Sequence, residues 1–277
     1  MGLEQNSRRI KNFVKLDGLD WEPVAKKLLE WLTKEHINRV ITPMNGDWHP
    51  IYPHGVLPNF FEDFPEVKKM FEPLGITPCF ASFFGATGPA LGEIAHIDGL
   101  ADAANTVGHW MYDRINIPLY NCDYSSTNFW KRNPKYDWET ARVHVTRDED
   151  KISNGVIGPQ FPSTQPLAHL ECLEKIDSFT LDRPTVMRTD VFHNVEVFKF
   201  RYPRVALTLG FQEDISHLLD TNPTLQNLPD GITEAECGSY HLDTEGRVYD
   251  ATVEEIQESL RDSFSPEPKW FLSLIDR

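Results

Sequence analysis

Glu93-Ile94-Ala95-His96-Ile97-Asp98-Gly99 decides how this chain is read. The run falls in a short candidate strand, Gly92–Ile97, followed by a polar stretch rich in Gly and Ala. On a β-strand, residues two apart project from one face. His96 and Asp98 therefore aim an imidazole and a carboxylate at one point. Two nitrogen or oxygen donors from one strand form two thirds of a metal site, and a third ligand is expected on a later strand, distant in sequence.

Three histidines compete for that position. His144 lies in a basic insertion between Lys131 and Pro166. His169 opens a candidate strand without supporting residues nearby. His193 sits in Thr189-Asp190-Val191-Phe192-His193-Asn194-Val195-Glu196-Val197, where a turn leads into a strand. His49 and His54 belong to a loop rich in Trp, His and Pro and are read as residues bordering a pocket; His109 is read as structural or solvent-facing.

Beyond His193 comes Arg204-Val205-Ala206-Leu207-Thr208-Leu209-Gly210-Phe211, which alternates as a half-buried strand does. Arg204, Ala206, Thr208 and Gly210 share one face, and the large apolar residues share the other. An arginine on the small-residue, inward face needs an anionic partner. A bound carboxylate is one answer; a salt bridge to Asp190 or Glu196 is the other.

The rest of the chain supplies an all-β frame. Asp20–Ile37 reads as a first helix, with Asp20 as N-cap, Pro23 in the first turn and Val24, Leu28, Leu29 and Leu32 at helical spacing. Pro65–Leu74 reads as a second, with Pro65 at N1 and Gly75 as its stop. Further strands are expected at Pro78–Phe84, Arg114–Asn121, Thr127–Lys131, His169–Cys172, Ser178–Leu181, Thr185–Thr189, His193–Phe198 and Val205–Phe211. After Phe211 the strand signal fades, and Thr252 with Glu255 suggests a capping box for a last helix reaching about Phe264. The expected fold is mainly β, a sandwich or jelly roll with N-terminal and C-terminal helices. The expected organisation is a core domain over residues 1–212 and an acidic C-terminal extension over 213–277 packed on it.

Composition narrows the partners. The 277 residues are 40% hydrophobic and 12% aromatic, ordinary for an enzyme-sized core, and carry a net charge of −15. From Glu213 to Arg277 there are 15 acidic and 4 basic residues, so this stretch carries −11 of the total. No basic stripe invites duplex DNA or an anionic membrane. No apolar run approaches the ~18 residues of a membrane span. The four cysteines form no CxxC pair and read as free thiols, and the N-terminus lacks the apolar segment of a signal peptide. A soluble cytoplasmic protein is expected.

Two histidines and one carboxylate would bind Fe(II) and leave adjacent positions for a bidentate keto acid and dioxygen. At this point the chain resembles the Fe(II)/2-oxoglutarate-dependent oxygenases. Their signature is His-x-Asp/Glu, a distal His, and an Arg or Lys about ten residues later that pairs with the far carboxylate of 2-oxoglutarate. Here the matching residues are His96, Asp98, His193 and Arg204. Arg114-Ile115-Asn116-Ile117-Pro118-Leu119-Tyr120 is similar to the strand after the first motif in aspartyl/asparaginyl hydroxylase-like and phage-borne members.

The resemblance implies a double-stranded β-helix, a cupin-like jelly roll. It implies Fe(II) held by His96, Asp98 and His193, with 2-oxoglutarate and dioxygen as co-substrates and Arg204 on the distal carboxylate. Many members carry a Ser two residues after the Arg; here that position is Ala206, and Thr208 or Tyr120 is the expected replacement, with Asn116 or Tyr120 touching the keto acid. Arg114 is a candidate for a substrate carboxylate, Trp110, Phe129 and Trp130 for a pocket wall, and Asn194 for orienting His193. Asp98 stands where halogenating relatives have Ala or Gly, so hydroxylation of an amino acid, peptide residue or small metabolite is the expected reaction. A cupin-type metalloenzyme that does not use 2-oxoglutarate and a non-catalytic jelly-roll binding module are the alternatives.

Overall fold

Short runs of apolar, β-branched and aromatic residues form most of the strands, and among the described residues these strands assemble into two antiparallel sheets. The structure is a computed structural model that describes residues 11–35, 49–50, 60–86, 94–96, 113–141, 167–189, 191–198, 204–211, 213, 215–219 and 228–238. In chain order, β1 (Phe13–Asp17) precedes α1 (Glu22–Glu35) and β2 (His49–Pro50). Two short helices follow, α2 (Phe60–Asp63) and α3 (Pro65–Phe71), then β3 (Pro78–Ala86), β4 (Ile94–His96), β5 (Asp113–Tyr120) and β6 (Ser125–Arg132). A short helix α4 (Trp138–Ala141) leads to β7 (Leu167–His169), β8 (Leu173–Phe179), β9 (Thr185–Arg188), β10 (Phe192–Val197), β11 (Arg204–Phe211) and β12 (Thr233–Cys237).

The larger sheet has the order β12-β1-β9-β5-β11-β3-β2, and the smaller has β7-β4-β10-β6-β8. From β8 to β11 the chain changes sheet at every step. That alternation places β10 and β11, neighbours in sequence, on facing sheets. Phe13, Met187 and Ala206 of the larger sheet pack with Phe129 and Phe179 of the smaller one, and with Val191, in a shared inner core.

The outer face of the larger sheet is covered by helices. Val24, Ala25, Leu28 and Leu32 of α1 and Val67, Met70 and Phe71 of α3 form one cluster with Ile115, Ile117, Val205, Leu207, Leu209 and Phe211. The alternation expected for β11 is therefore real: large residues face the helices, while Arg204, Ala206 and Thr208 face the second sheet. The stop at Gly75 is also seen. A short 3-10 turn, Glu72–Leu74, extends α3, and Gly75 closes it with φ 65°, a left-handed conformation that costs a glycine little.

Several expected bounds shift. His169–Cys172 is a strand only to His169 and then a 3-10 turn, Leu170–Cys172. The expected strand Ser178–Leu181 runs instead over Leu173–Phe179. Two strands were not expected: β1, ahead of the first helix, and β12, beyond Phe211 where the strand signal fades. Thr233–Cys237 is polar and edge-placed, and its register is set by partners far away in sequence. Lys11 reaches Glu234 at 2.6 Å, while Lys15 reaches Glu236 at 2.6 Å and Asp182 at 3.2 Å. The helix expected from Thr252 lies outside the described residues. No helix among the described residues is long and apolar enough to cross a membrane.

Candidate functional site

His96 and His193 come from β4 and β10 and are direct partners in the ladder of the smaller sheet. Their ring centroids lie 4.4 Å apart with the planes at 50°. His193 is buried, 5% exposed, and its Nδ1 sits 2.8 Å from the carbonyl oxygen of Val191. A carbonyl only accepts, so Nδ1 donates; in the neutral imidazole this leaves the lone pair on Nε2. This is the tautomer a metal-binding imidazole uses. On the other side of His193 the ladder partner is Phe129, whose ring centroid lies 6.4 Å from the imidazole.

The expected role of Asn194 is corrected by strand alternation. One residue on from His193, it faces the opposite side of the sheet. There its Oδ1 accepts from Trp130 Nε1 at 2.9 Å and from Asn128 Nδ2 at 3.3 Å. The Val191 carbonyl, not Asn194, orients His193. Trp130 goes with Asn194: it packs in the outer cluster with Ala95, Cys172, Leu173 and Phe192. It therefore does not wall the space into which His193 points, and Phe129 does.

Asp98 lies outside the described residues, as do Trp110, His54, His109 and His144. Among the described residues, no group of three His, Cys, Asp or Glu side chains is placed to hold a metal. His169 is ladder partner to Ile94, two residues from His96, and does not complete the pair. His49 opens β2 opposite Gly85. The structure thus joins two of the three expected ligands.

Arg204 is the other buried feature of this interior. It is 2% exposed, and its Nε donates to Ser125 Oγ at 3.1 Å, a bond from the larger sheet to the first residue of β6 in the smaller one. Burial pushes the guanidinium pKa down, opposed by the neighbouring Cys122 thiol. Among the described residues no carboxylate pairs with Arg204. Glu196, one of the two salt-bridge partners considered, is exposed, and Asp190 is outside the described residues. Phe129, in the ladder row of His193, lies four residues along β6 from Ser125, about 13 Å at strand rise.

Asn116 and Thr208 are ladder partners on the same inner face. Thr208 Oγ1 donates to Asn116 Oδ1 at 2.6 Å, and Asn116 Nδ2 donates to Met187 Sδ at 2.8 Å. The Thr208 proton is thus already placed, which leaves that hydroxyl only acceptor capacity and nothing to donate to a carboxylate. Tyr120 pairs opposite Val205, where the ladder shifts register, and is 41% exposed at the end of β5. Arg114 is buried at the other end of β5, next to the row pairing Ile115 with Leu209, on the order of 20 Å along the sheet from Arg204. Its charge is felt there by Cys79, whose thiol is pushed up to about 11 by burial and Glu213, against the lowering effect of Arg114. The hydroxyl that does meet Arg204 belongs to Ser125, which the sequence reading missed. Nothing in Ser125-Ser126-Thr127 marks it; only the facing of β6 and β11 does.

The sequence matches no known protein family and no curated protein. Among solved structures, the chain is similar to a non-heme monooxygenase, the ThoJ–Ni complex. The TM-score is 0.37 at 11% identity, over 99% of this chain and 96% of that one. It is similar to HygX from Streptomyces hygroscopicus with nickel and 2-oxoglutarate bound, with TM-score 0.36 at 10% identity over 73% of this chain and 82% of that one. A third likeness is to the epimerase SnoN in complex with Fe3+, alpha ketoglutarate and nogalamycin RO, with TM-score 0.35 at 10% identity over 88% and 96%. At this level of likeness the functional reading rests on the residues themselves.

Proposed function

We propose that the chain is a non-haem Fe(II) oxygenase that uses 2-oxoglutarate to hydroxylate an amino acid, a peptide residue or a small metabolite, on a double-stranded β-helix. The observation that carries this reading is Arg204. A buried guanidinium on the inner face, with no acidic partner among the described residues, is costly unless an anion comes to it. A ligand carboxylate is that anion.

The residues present fit an iron ligand set. His96 and His193 offer neutral nitrogen donors from adjacent strands, and the Val191 carbonyl holds His193 in the metal-binding tautomer. Asp98, two residues beyond His96, is the proposed third ligand and the single anionic one. Bound Fe(II) would supply the activation of dioxygen that no amino-acid side chain provides.

The remaining work falls to the chain itself. Arg204 binds the distal carboxylate and orients the keto-acid end toward the histidine pair. Phe129, fully buried beside His193, keeps that side of the site apolar and excludes water. The placement of the substrate sets which carbon reacts. Asn116 and Thr208 hold each other and shape the inner wall.

The test is anaerobic addition of Fe(II) and then 2-oxoglutarate to the protein. A visible charge-transfer band that needs both, followed by succinate release in air, is the expected result. No band, together with no succinate above the metal-free background, would sink the proposal.

A further inference from the structure

We infer that Ser125 is a positioning residue: from the opposite sheet it fixes the Arg204 guanidinium so that its outer nitrogens meet the distal carboxylate of a dicarboxylic 2-oxo acid. The inference rests on the reading of Arg204 above and adds what holds that side chain in place.

Ser125 is 1% exposed and opens β6. Its Oγ donates to the carbonyl of Cys122 at 2.7 Å. A serine hydroxyl has one proton, so toward Arg204 this oxygen can only accept, and the Nε–H at 3.1 Å is the donor it receives. Cys122 in turn directs its Sγ to the carbonyl of Val205 at 3.0 Å. The contacts close a ring: Arg204 to Ser125, Ser125 to Cys122, Cys122 to Val205, and Val205 back to Arg204 through the chain.

The local sequence explains the ring. The β5–β11 ladder shifts register between Val205 and Ala206, and Ala206 faces Pro118, which has no N–H to give. The Cys122 thiol serves as an added donor beside this break. Asn121, with φ 51° in the left-handed region that asparagine tolerates, turns the chain from β5 into the short helix Cys122–Tyr124 and so delivers both Cys122 and Ser125.

A guanidinium is planar, so an acceptor at Nε limits how the plane can turn. With Nε committed to Ser125, the two Nη groups remain as the fork for bidentate carboxylate recognition. Without the hydroxyl, a buried N–H loses its acceptor and the plane rotates to find another. The consequence is selective. The distal carboxylate loses its fitted partner, while the keto-acid end of the ligand does not.

The experiment measures dissociation constants by calorimetry on Ni(II)-loaded protein for two ligands. One is 2-oxoglutarate; the other is 2-oxobutanoate, which keeps the 2-oxo acid head but has no distal carboxylate. Ser125→Ala is expected to weaken 2-oxoglutarate about tenfold and to leave 2-oxobutanoate within about twofold. Ser125→Thr restores 2-oxoglutarate to within about threefold, and Ser125→Cys, which keeps the volume but offers a weaker acceptor, falls between. If 2-oxoglutarate binds all the Ser125 variants as it binds the parent protein, or if Ser125→Ala weakens both ligands equally, the positioning role is overturned. A different result marks failure of the underlying reading. If Arg204→Met binds 2-oxoglutarate as tightly as the parent protein, Arg204 does not hold the carboxylate, and the role of Ser125 falls with it.

Discussion

His96 and His193 face each other across a single ladder position, their rings 4.4 Å apart, although most of the β core separates them in the chain. The smaller sheet brings them together because β4 and β10 lie side by side in it. Replacing either with alanine should leave the fold intact by circular dichroism and weaken Ni(II) binding by at least about 100-fold, the upper end of what outer-shell changes cause. Ni(II) affinity that survives in both variants would remove the pair from the metal site.

Arg204→Met separates stability from ligand binding. The substitution removes a buried cation with no acidic partner among the described residues and puts an unbranched apolar chain in its place. The thermal midpoint of the ligand-free protein should stay level or rise, corresponding to about 0–4 kcal/mol. The parent protein gains about 2.7 kcal/mol from 2-oxoglutarate at 100 times its dissociation constant, and the variant should gain almost none of this. A variant that unfolds earlier yet still gains stability from 2-oxoglutarate contradicts the assignment.

Phe129 supports both the inner core and the His193 ring. It is fully buried, with ring centroids 6.4 Å from Phe13 and 6.1 Å from Phe179. Phe129→Ala should cost about 3–5 kcal/mol in urea unfolding. A loss under about 1 kcal/mol would mean that the two sheets do not pack through this residue.

The attachment of β12 should depend on acid. Burial pushes the Glu234 carboxyl up, but hydrogen bonds from Cys237 and Lys11 and the Lys11 charge outweigh it, so its pKa is lowered. A carboxylate with a lowered folded pKa stabilises the fold fully above its unfolded value of about 4.3, and the contribution disappears as pH falls through the folded value. Amide protection in β1 and β12, corrected for intrinsic exchange, should therefore drop first as pH falls through that range. Glu234→Gln should show the same loosening at neutral pH; equal protection in variant and parent would rule out the carboxylate as the clasp.

Much of the frame was readable in the residues. The alternation of Arg204–Phe211 foretold which side chains face inward, because a strand's two-residue period needs no partner to be visible. Pro65 and Gly75 marked the start and stop of α3 and its 3-10 extension through backbone preferences that act locally. The polar edge strand Thr233–Cys237 was invisible, because its order comes from Lys11 and Lys15 across the sheet rather than from its own composition. Trp130 and Asn194 were assigned to the wrong side, since the sequence shows that neighbours alternate but not which face the second sheet covers.

By itself, the sequence determined which residue types were available for the chemistry: two histidines with strand neighbours, an arginine on a small-residue face, and a carboxylate two places from the first histidine. Those are properties of local spacing. Only the tertiary structure decided that His96 meets His193, that the Val191 carbonyl sets the tautomer of the neutral His193 imidazole, and that Ser125 reaches Arg204. Each of these is a contact between strands far apart in the chain. Such contacts exist because antiparallel pairing and sheet-on-sheet packing bury the inner faces together, and no local pattern encodes which strand becomes the neighbour.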